Sequence, residues 1–290
     1  MERLTLTVTA DRDGRTVQSL MRRELAMAGG LVSSVKFRPG GILLNGVPVR
    51  TSARVRTGDV LSVLVADREG NRAEPLALPL TILWEDGAFA VIDKPAGCAV
   101  YGEGYPNIAG ILAHRWGKTI GFHPVNRLDV GTTGVMLAAK DGYTHDRLRR
   151  MLHTDAFQRE YLAVAEGVFR EEQGVIDLPI GRGAPGDVRR TVRPDGQSSR
   201  TEYRILASDG CRSLLRLRLL TGRTHQIRVH LAALGHPLVG DRLYGAADLP
   251  LDRPALHSHH VRLIHPITGE TVDVTAPLPP DMAALIARMA

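Results

Sequence analysis

The chain has 290 residues, 43% of them hydrophobic, and carries a formal net charge of +6 from 37 Lys+Arg against 31 Asp+Glu. That length holds one large or two ordinary domains, and no apolar run approaches the roughly 20 residues needed to cross a bilayer. The only cysteines, Cys98 and Cys211, are too few and too far apart for a disulfide framework or a zinc site, so a metal-free protein of the reducing cytoplasm is expected.

The basic excess comes from arginine more than lysine. A guanidinium binds phosphate at two points and stacks on bases, which favours nucleic acid as the partner and not a membrane. Arginine-rich codon usage would give the same composition, so charge serves only as support. The start of the chain alternates (Leu4-Thr5-Leu6-Thr7-Val8) and then turns charged at Asp11-Arg12-Asp13, without the apolar core of a signal peptide.

In chain order, residues 1–66 read as a small α/β module. Arg15 to Met27 suits a helix. Ile42-Leu43-Leu44 and Val47-Pro48-Val49 flank Asn45-Gly46, a pair that supplies the positive φ angles of a tight hairpin. Gly58-Asp59 precedes a further strand, Val60 to Val65. Residues 67–80 mix charges and prolines without periodicity and read as a linker. From residue 81 strands dominate, at Phe89 to Ile92, Val135 to Ala139 and Tyr161 to Ala165. Leu215, Leu217 and Leu219 alternate with Arg216 and Arg218, the period of a half-buried strand. Two further helices are predicted. Tyr143 to His153 gathers Leu148, Met151 and Leu152 on one face. Thr224 to Leu234 has Thr224 as its N-cap and Gly235 as its left-handed stop. The whole predicts an α+β fold: a large, mainly antiparallel sheet with helices and loops over residues 81–290, plus the small N-terminal module.

Residues 126–134 read Asn-Arg-Leu-Asp-Val-Gly-Thr-Thr-Gly, placing Arg127 and Asp129 in a glycine-punctuated loop just before an apolar strand. Such loops commonly carry catalytic groups, and a nearby cation is one means of keeping a carboxylate ionised. An ordinary surface ion pair would look the same.

This loop resembles the signature of the RluA-like pseudouridine synthases, His-Arg-Leu-Asp leading into Asp-Thr-Ser-Gly. Four further segments resemble that family in order and spacing: ILWEDGAFAVIDKPAG (82–97), QREYLAVAEG (158–167), TGRTHQIRVHLAALGHPLVGDRLYG (221–245) and LHSHHVRLIHPITGE (256–270). Asn126 stands where the family has histidine, and Val130-Gly131 replaces the usual pair ending in Asp. The end of the N-terminal module, LLNGVPVRTSARVRTGDVLSVLV, resembles a small RNA-binding fold named after a ribosomal protein, in degenerate form. The resemblance implies a cofactor-independent isomerase acting on structured RNA, ribosomal or transfer; nothing in the sequence demands a partner subunit, and a monomer is expected. It implies Asp129 as catalytic residue, Arg127 filling the space left by a flipped uridine, and Tyr161 stacking on the flipped base. Arg228, in THQIR, would orient Asp129. Candidate RNA contacts are Lys94 of the Lys-Pro-Ala-Gly turn and the cluster Arg182, Arg189, Arg190 and Arg193.

Two competitors stay open at this stage: an idle RNA-binding protein that kept the fold, and a glycosidase, which would need a second carboxyl about 5–5.5 Å from the first. Other motifs carry little. GRGAPG (181–186) lacks the apolar helix that a dinucleotide loop opens. His225 and His230, five apart, fall about 140° apart around a helix and cannot share a metal as an i, i+4 pair would.

Overall fold

A computed structural model describes residues 2–67, 69–152, 154–184, 186–245 and 251–289. In the first 66 residues, β1 (Arg3–Thr7), α1 (Val17–Arg23), α2 (Gly29–Val35), β2 (Ile42–Leu44), β3 (Val47–Pro48) and β4 (Val60–Leu64) form a four-stranded sheet, in the order β1-β4-β2-β3, covered by the two helices. Thr16 caps α1 by accepting from the Ser19 amide. The helix stops well short of Met27 because Ala26 adopts a left-handed φ of 49°, a conformation no helix continues through. Asn45 and Gly46, at φ 51° and 81°, form the predicted hairpin turn. Val17, Leu20, Met21, Val32, Val35, Leu61 and Val63 pack as one core, which Tyr143 joins from outside, its hydroxyl donating to the Leu25 carbonyl at 2.9 Å.

The stretch 69–80 has no regular structure, yet it is docked. Asn71 is buried and donates to the Ala109 carbonyl at 2.8 Å, while Leu76 and Leu80 pack on the larger core. Just before it, Asp67 meets His123 Nε2 at 2.5 Å and accepts from the Gly142 amide.

The rest of the chain comprises β5 (Thr81–Glu85), β6 (Phe89–Lys94), α3 (Ile108–Trp116), β7 (His123–Pro124), β8 (Thr133–Ala139), α4 (Gly142–Met151), β9 (Phe157–Glu166), β10 (Gln173–Asp177), β11 (Ile180–Arg182), β12 (Arg190–Val192), β13 (Arg200–Ser208), β14 (Arg212–Leu219), α5 (Gln226–Ala233), β15 (Leu256–Ile264), β16 (Thr271–Thr275) and α6 (Pro280–Ala287). Eight strands run in the order β10-β13-β14-β9-β15-β8-β6-β5, with β16 on β15 and β7 on β8. Every pairing is antiparallel except β15 with β8. The expected α+β architecture is therefore present, with more helix than the sequence suggested: α2, α3 and α6 were not predicted.

Period-two alternation separates the two faces of this sheet. Ala90, Ile92, Met136, Ala138, Leu215 and Leu217 share a core with Ile111 and Leu112 of α3 and Ile227 and Leu231 of α5. Phe89, Val91, Val135, Leu137 and Ala139 face the other way, with Leu148 of α4. Being sandwiched, β8 is buried at all seven positions, which is why it reads as a continuous apolar run. Gly134 marks its closest approach to β15. Its φ is +101°, and a Cβ there would lie 2.2 Å from the Ser258 carbonyl oxygen.

Candidate active site

The loop 126–134 is a reversal clamped at both ends. Val125 donates its amide to the Leu137 carbonyl, and Asn126, buried, accepts from the Leu137 amide at 2.8 Å and donates to the Val135 carbonyl. Asn126 thus bridges the backbone of β8. Leu128 points into the core, so its neighbours Arg127 and Asp129 turn outward. The Lys-Pro-Ala-Gly turn closes on the same loop, Gly97 donating to the Val130 carbonyl at 2.9 Å.

Lys94 was expected to contact RNA. The structure corrects this: the residue is fully buried, and its ammonium donates to the carbonyls of Pro95 and Cys98, both at 2.8 Å, and of Val130 at 3.3 Å. It therefore ties the turn to loop 126–134, its ammonium engaged by carbonyls and not free for an RNA phosphate. Burial pushes its pKa down to about 8 against the pull of the anionic groups nearby.

Arg127 is exposed and makes no hydrogen bond or ion pair with the described residues, so it does not pair with Asp129. The cation at Asp129 is Arg228, whose Nη1 donates to Asp129 Oδ2 at 3.2 Å. The rest of its fork is spent on Asp241, with Nε to Oδ2 at 2.7 Å and Nη2 to Oδ1 at 2.8 Å. Asp241 is itself wholly buried and also accepts from the amides of Leu243 and Tyr244. Burial opposes the Arg228 charge, but the bonds to Asp241 and the two carboxylate charges outweigh it and hold its pKa above the ordinary value. The Tyr244 ring covers the guanidinium at 5.1 Å. A bidentate pair of this kind fixes the arginine in direction as well as place. Asp129 keeps 28% of its side chain exposed and so remains open to a substrate.

Helix α5 begins one residue later than predicted. Its N-cap is His225, not Thr224, with a left-handed φ of 58° and no side-chain capping bond. Arg228 is consequently its third residue. Gly235, at φ 82°, follows the helix as expected. His230 is a buried structural residue, bonded to Thr201 and to the Leu178 carbonyl. His225 lies beside the site, its Nε2 3.8 Å from Asp129 Oδ2.

Tyr161 sits on β9, buried, its hydroxyl without a hydrogen-bond partner among the described residues. Ser258 of β15 pairs with Gly134 on one side and with Tyr161 on the other. Tyr161 is thus two strands from the end of loop 126–134, roughly 10 Å at ordinary strand spacing.

The four clustered arginines lie on a β-hairpin and not in an irregular loop, since β11 pairs with β12. Arg182 is exposed, Arg189 pairs with Asp187, and Arg193 pairs with Asp195. Arg190 is half-buried, and its amide donates to the Tyr244 hydroxyl at 2.8 Å, docking the hairpin beside the site. Sequence reasoning missed His225, Asp241 and Tyr244 as site residues. The signal available was their place in the 221–245 segment, within THQIR and GDRLYG.

Among the described residues no group of three or more His, Cys, Asp or Glu side chains could hold a metal, and no helix is long and apolar enough to cross a membrane. A cavity of about 560 Å³ lies against Lys94, Thr133, Arg253 and His257, but Asp129 does not line it.

The site is thus an outward carboxylate gripped by a buried arginine, in a basic protein built on a sandwiched, mainly antiparallel sheet. The RNA pseudouridylate synthase family matches residues 88–233. An uncharacterized RNA pseudouridine synthase of Bacillus subtilis, YhcT, is 36% identical over 273 residues, 90% of this chain and 89% of that one. Ribosomal large subunit pseudouridine synthase D of Yersinia pestis is 37% identical over 77% of this chain and 74% of that one. The solved structure of human RNA pseudouridylate synthase domain containing 1 superposes with a TM-score of 0.60 at 28% identity, covering 73% of this chain and 90% of that one. The chain belongs to the RNA pseudouridylate synthase family, isomerases that convert uridine to pseudouridine in RNA.

Proposed function

We propose that this protein isomerises uridine in ribosomal RNA, with Asp129 as the catalytic residue. The observation that carries the assignment is the single guanidinium of Arg228 shared between the half-open Asp129 and the buried Asp241. The reaction breaks the bond from N1 to C1′, turns the base, makes the bond from C5 to C1′ and moves one hydrogen from C5 to N1, leaving the mass unchanged. It calls for one fixed negative charge at the sugar or base, which Asp129 supplies.

Extracting the base costs a few kcal/mol. Arg127, exposed and without an ion-pair partner among the described residues, is suited to fill the vacated stack. Tyr161, its hydroxyl without a hydrogen-bond partner among the described residues, is suited to stack on the everted base. The basic hairpin that carries Arg182, Arg189, Arg190 and Arg193 would hold the RNA backbone, with Arg182 the least encumbered of the four. The division into a module of residues 1–66, a connector at 67–80 and a catalytic domain at 81–290 belongs to the same reading. The module would add RNA contacts through Arg22 and Lys36, which line a polar pocket between α1 and α2. Ribosomal RNA is preferred to transfer RNA because relatives such as the Yersinia pestis protein are named for the large ribosomal subunit. The enzyme would act as a monomer in the cytoplasm.

The test is Asp129→Asn. Tritium release from RNA carrying 5-tritiated uridine should vanish while RNA affinity and melting temperature stay close to wild type. Undiminished release by this variant would refute the role of Asp129. Pseudouridine mapping in ribosomal and transfer RNA from cells with and without the gene identifies the substrate; loss of a transfer-RNA site alone would overturn the ribosomal assignment.

A further inference from the structure

Beside Asp129 a second network runs from the hairpin to the carboxylate. The Arg190 amide donates to the Tyr244 hydroxyl at 2.8 Å, and that hydroxyl lies 2.9 Å from His225 Nδ1. With one lone pair taken by the Arg190 amide and no other acceptor within hydrogen-bonding distance among the described residues, the phenolic proton is free to point at Nδ1. In that arrangement the ring carries its own hydrogen on Nε2. Nε2 faces Asp129 Oδ2 at 3.8 Å, just beyond hydrogen-bonding reach. His225 also holds a left-handed backbone (φ 58°, ψ 18°), a strained conformation of the kind retained where a side chain must be aimed. The charged groups around the ring are Asp129, Arg228, Asp241 and Arg190. Burial lowers the His225 pKa and raises that of Tyr244, which favours the neutral form of each.

We propose that Tyr244 locks His225 as the Nε2–H tautomer and that His225 is a positioning residue, its N–H closing onto Asp129 when RNA seats against the hairpin. Arg228 and His225 then hold the carboxylate from two directions, one charged and one neutral. The chain of contacts starts at Arg190, so the element that would grip the RNA backbone and the group that would do the chemistry share one set of hydrogen bonds. This inference rests on Asp129 being the catalytic residue.

Three variants and one spectroscopic measurement test it. His225→Leu and His225→Gln bear comparable strain at φ 58°, but only glutamine offers an N–H near the Nε2 position. Losing a hydrogen bond to a charged group should lower kcat of His225→Leu by about 10- to 100-fold, with KM changed by less than about 3-fold. His225→Gln should recover most of that loss. Tyr244→Phe should lower kcat in the same sense and release the tautomer. In nitrogen NMR of the wild-type protein, the His225 signals (assigned by subtraction with His225→Gln) should show Nε2 protonated and Nδ1 bare, and Tyr244→Phe should shift them towards a mixture. A wild-type Nδ1–H form, or undiminished kcat in His225→Leu, would overturn the proposal. Should His225→Leu fail to fold, a glutamine variant no better than Tyr244→Phe overturns it equally. An active wild type with fully active Asp129→Asn would instead sink the reading on which this one rests.

Discussion

Arg228 is the side chain whose removal separates stability from turnover. Its fork holds Asp241, which is wholly buried, and its remaining nitrogen holds Asp129. In Arg228→Met the aliphatic stem is kept, but Asp241 loses its cation. Breaking a buried pair from one side costs about 3–5 kcal/mol. Two amides, Leu243 at 3.1 Å and Tyr244 at 3.3 Å, still reach Asp241 Oδ1, so the low end near 3 kcal/mol applies. For 150–250 cooperatively folding residues, 1 kcal/mol moves the melting temperature by about 2–4 °C, so a drop of about 6–12 °C is expected by differential scanning fluorimetry. Asp241→Asn keeps an acceptor for the two amides and removes the charge. Combined with Arg228→Met it should restore at least half of the lost stability, a coupling above about 1 kcal/mol. Neither the single nor the double variant should form pseudouridine, because Asp129 has lost its charged partner in both. An Arg228→Met protein melting within about 2 °C of wild type, or a double variant whose loss equals the sum of the singles, would refute the claim that this pair organises the site.

Lys94→Met removes the tie between the Lys-Pro-Ala-Gly turn and loop 126–134. Orphaned buried carbonyls should cost about 1–3 kcal/mol, and kcat should fall more than RNA affinity, read by tritium release and filter binding. His257 is fully buried and has its pKa lowered by burial to about 4. Because the unfolded ring binds a proton near pH 6.5 and the folded ring does not, stability is intact above pH 6.5 and falls as the pH drops towards 4. The loss should reach roughly 3 kcal/mol, and urea titrations of wild type and His257→Gln between pH 7 and 4 should show a gentler decline in the variant. Arg127 is exposed and unpaired among the described residues, so Arg127→Ala should leave stability within about 0.5 kcal/mol while lowering kcat/KM on a stem-loop substrate. Unchanged kcat/KM would count against its part in base extraction.

Much of this protein was written locally. The Asn45-Gly46 turn needs only two residues able to take positive φ, the alternation in β14 needs only its own period, and the unbroken apolar run of β8 announces a strand covered on both faces. The loop 126–134 could likewise be picked out before any coordinate, because its residue types and the strand behind it are contiguous. The short helices α2 and α6 escaped because they rely on packing more than on a long periodic pattern.

The partners within the site were decided only by tertiary structure. Arg127 is two residues from Asp129, yet Leu128 between them faces the core and sends both side chains outward without joining them. The cation that does reach Asp129 comes from 99 residues away, because α5 packs against the sheet and aims Arg228 at the loop. Lys94 looked like a surface lysine by charge and proved to be an internal tether once three carbonyls converged on it. Sequence periodicity encodes which face of an element is buried. It does not encode which two elements meet, since that follows from strand register and from the simultaneous packing of segments far apart in the chain.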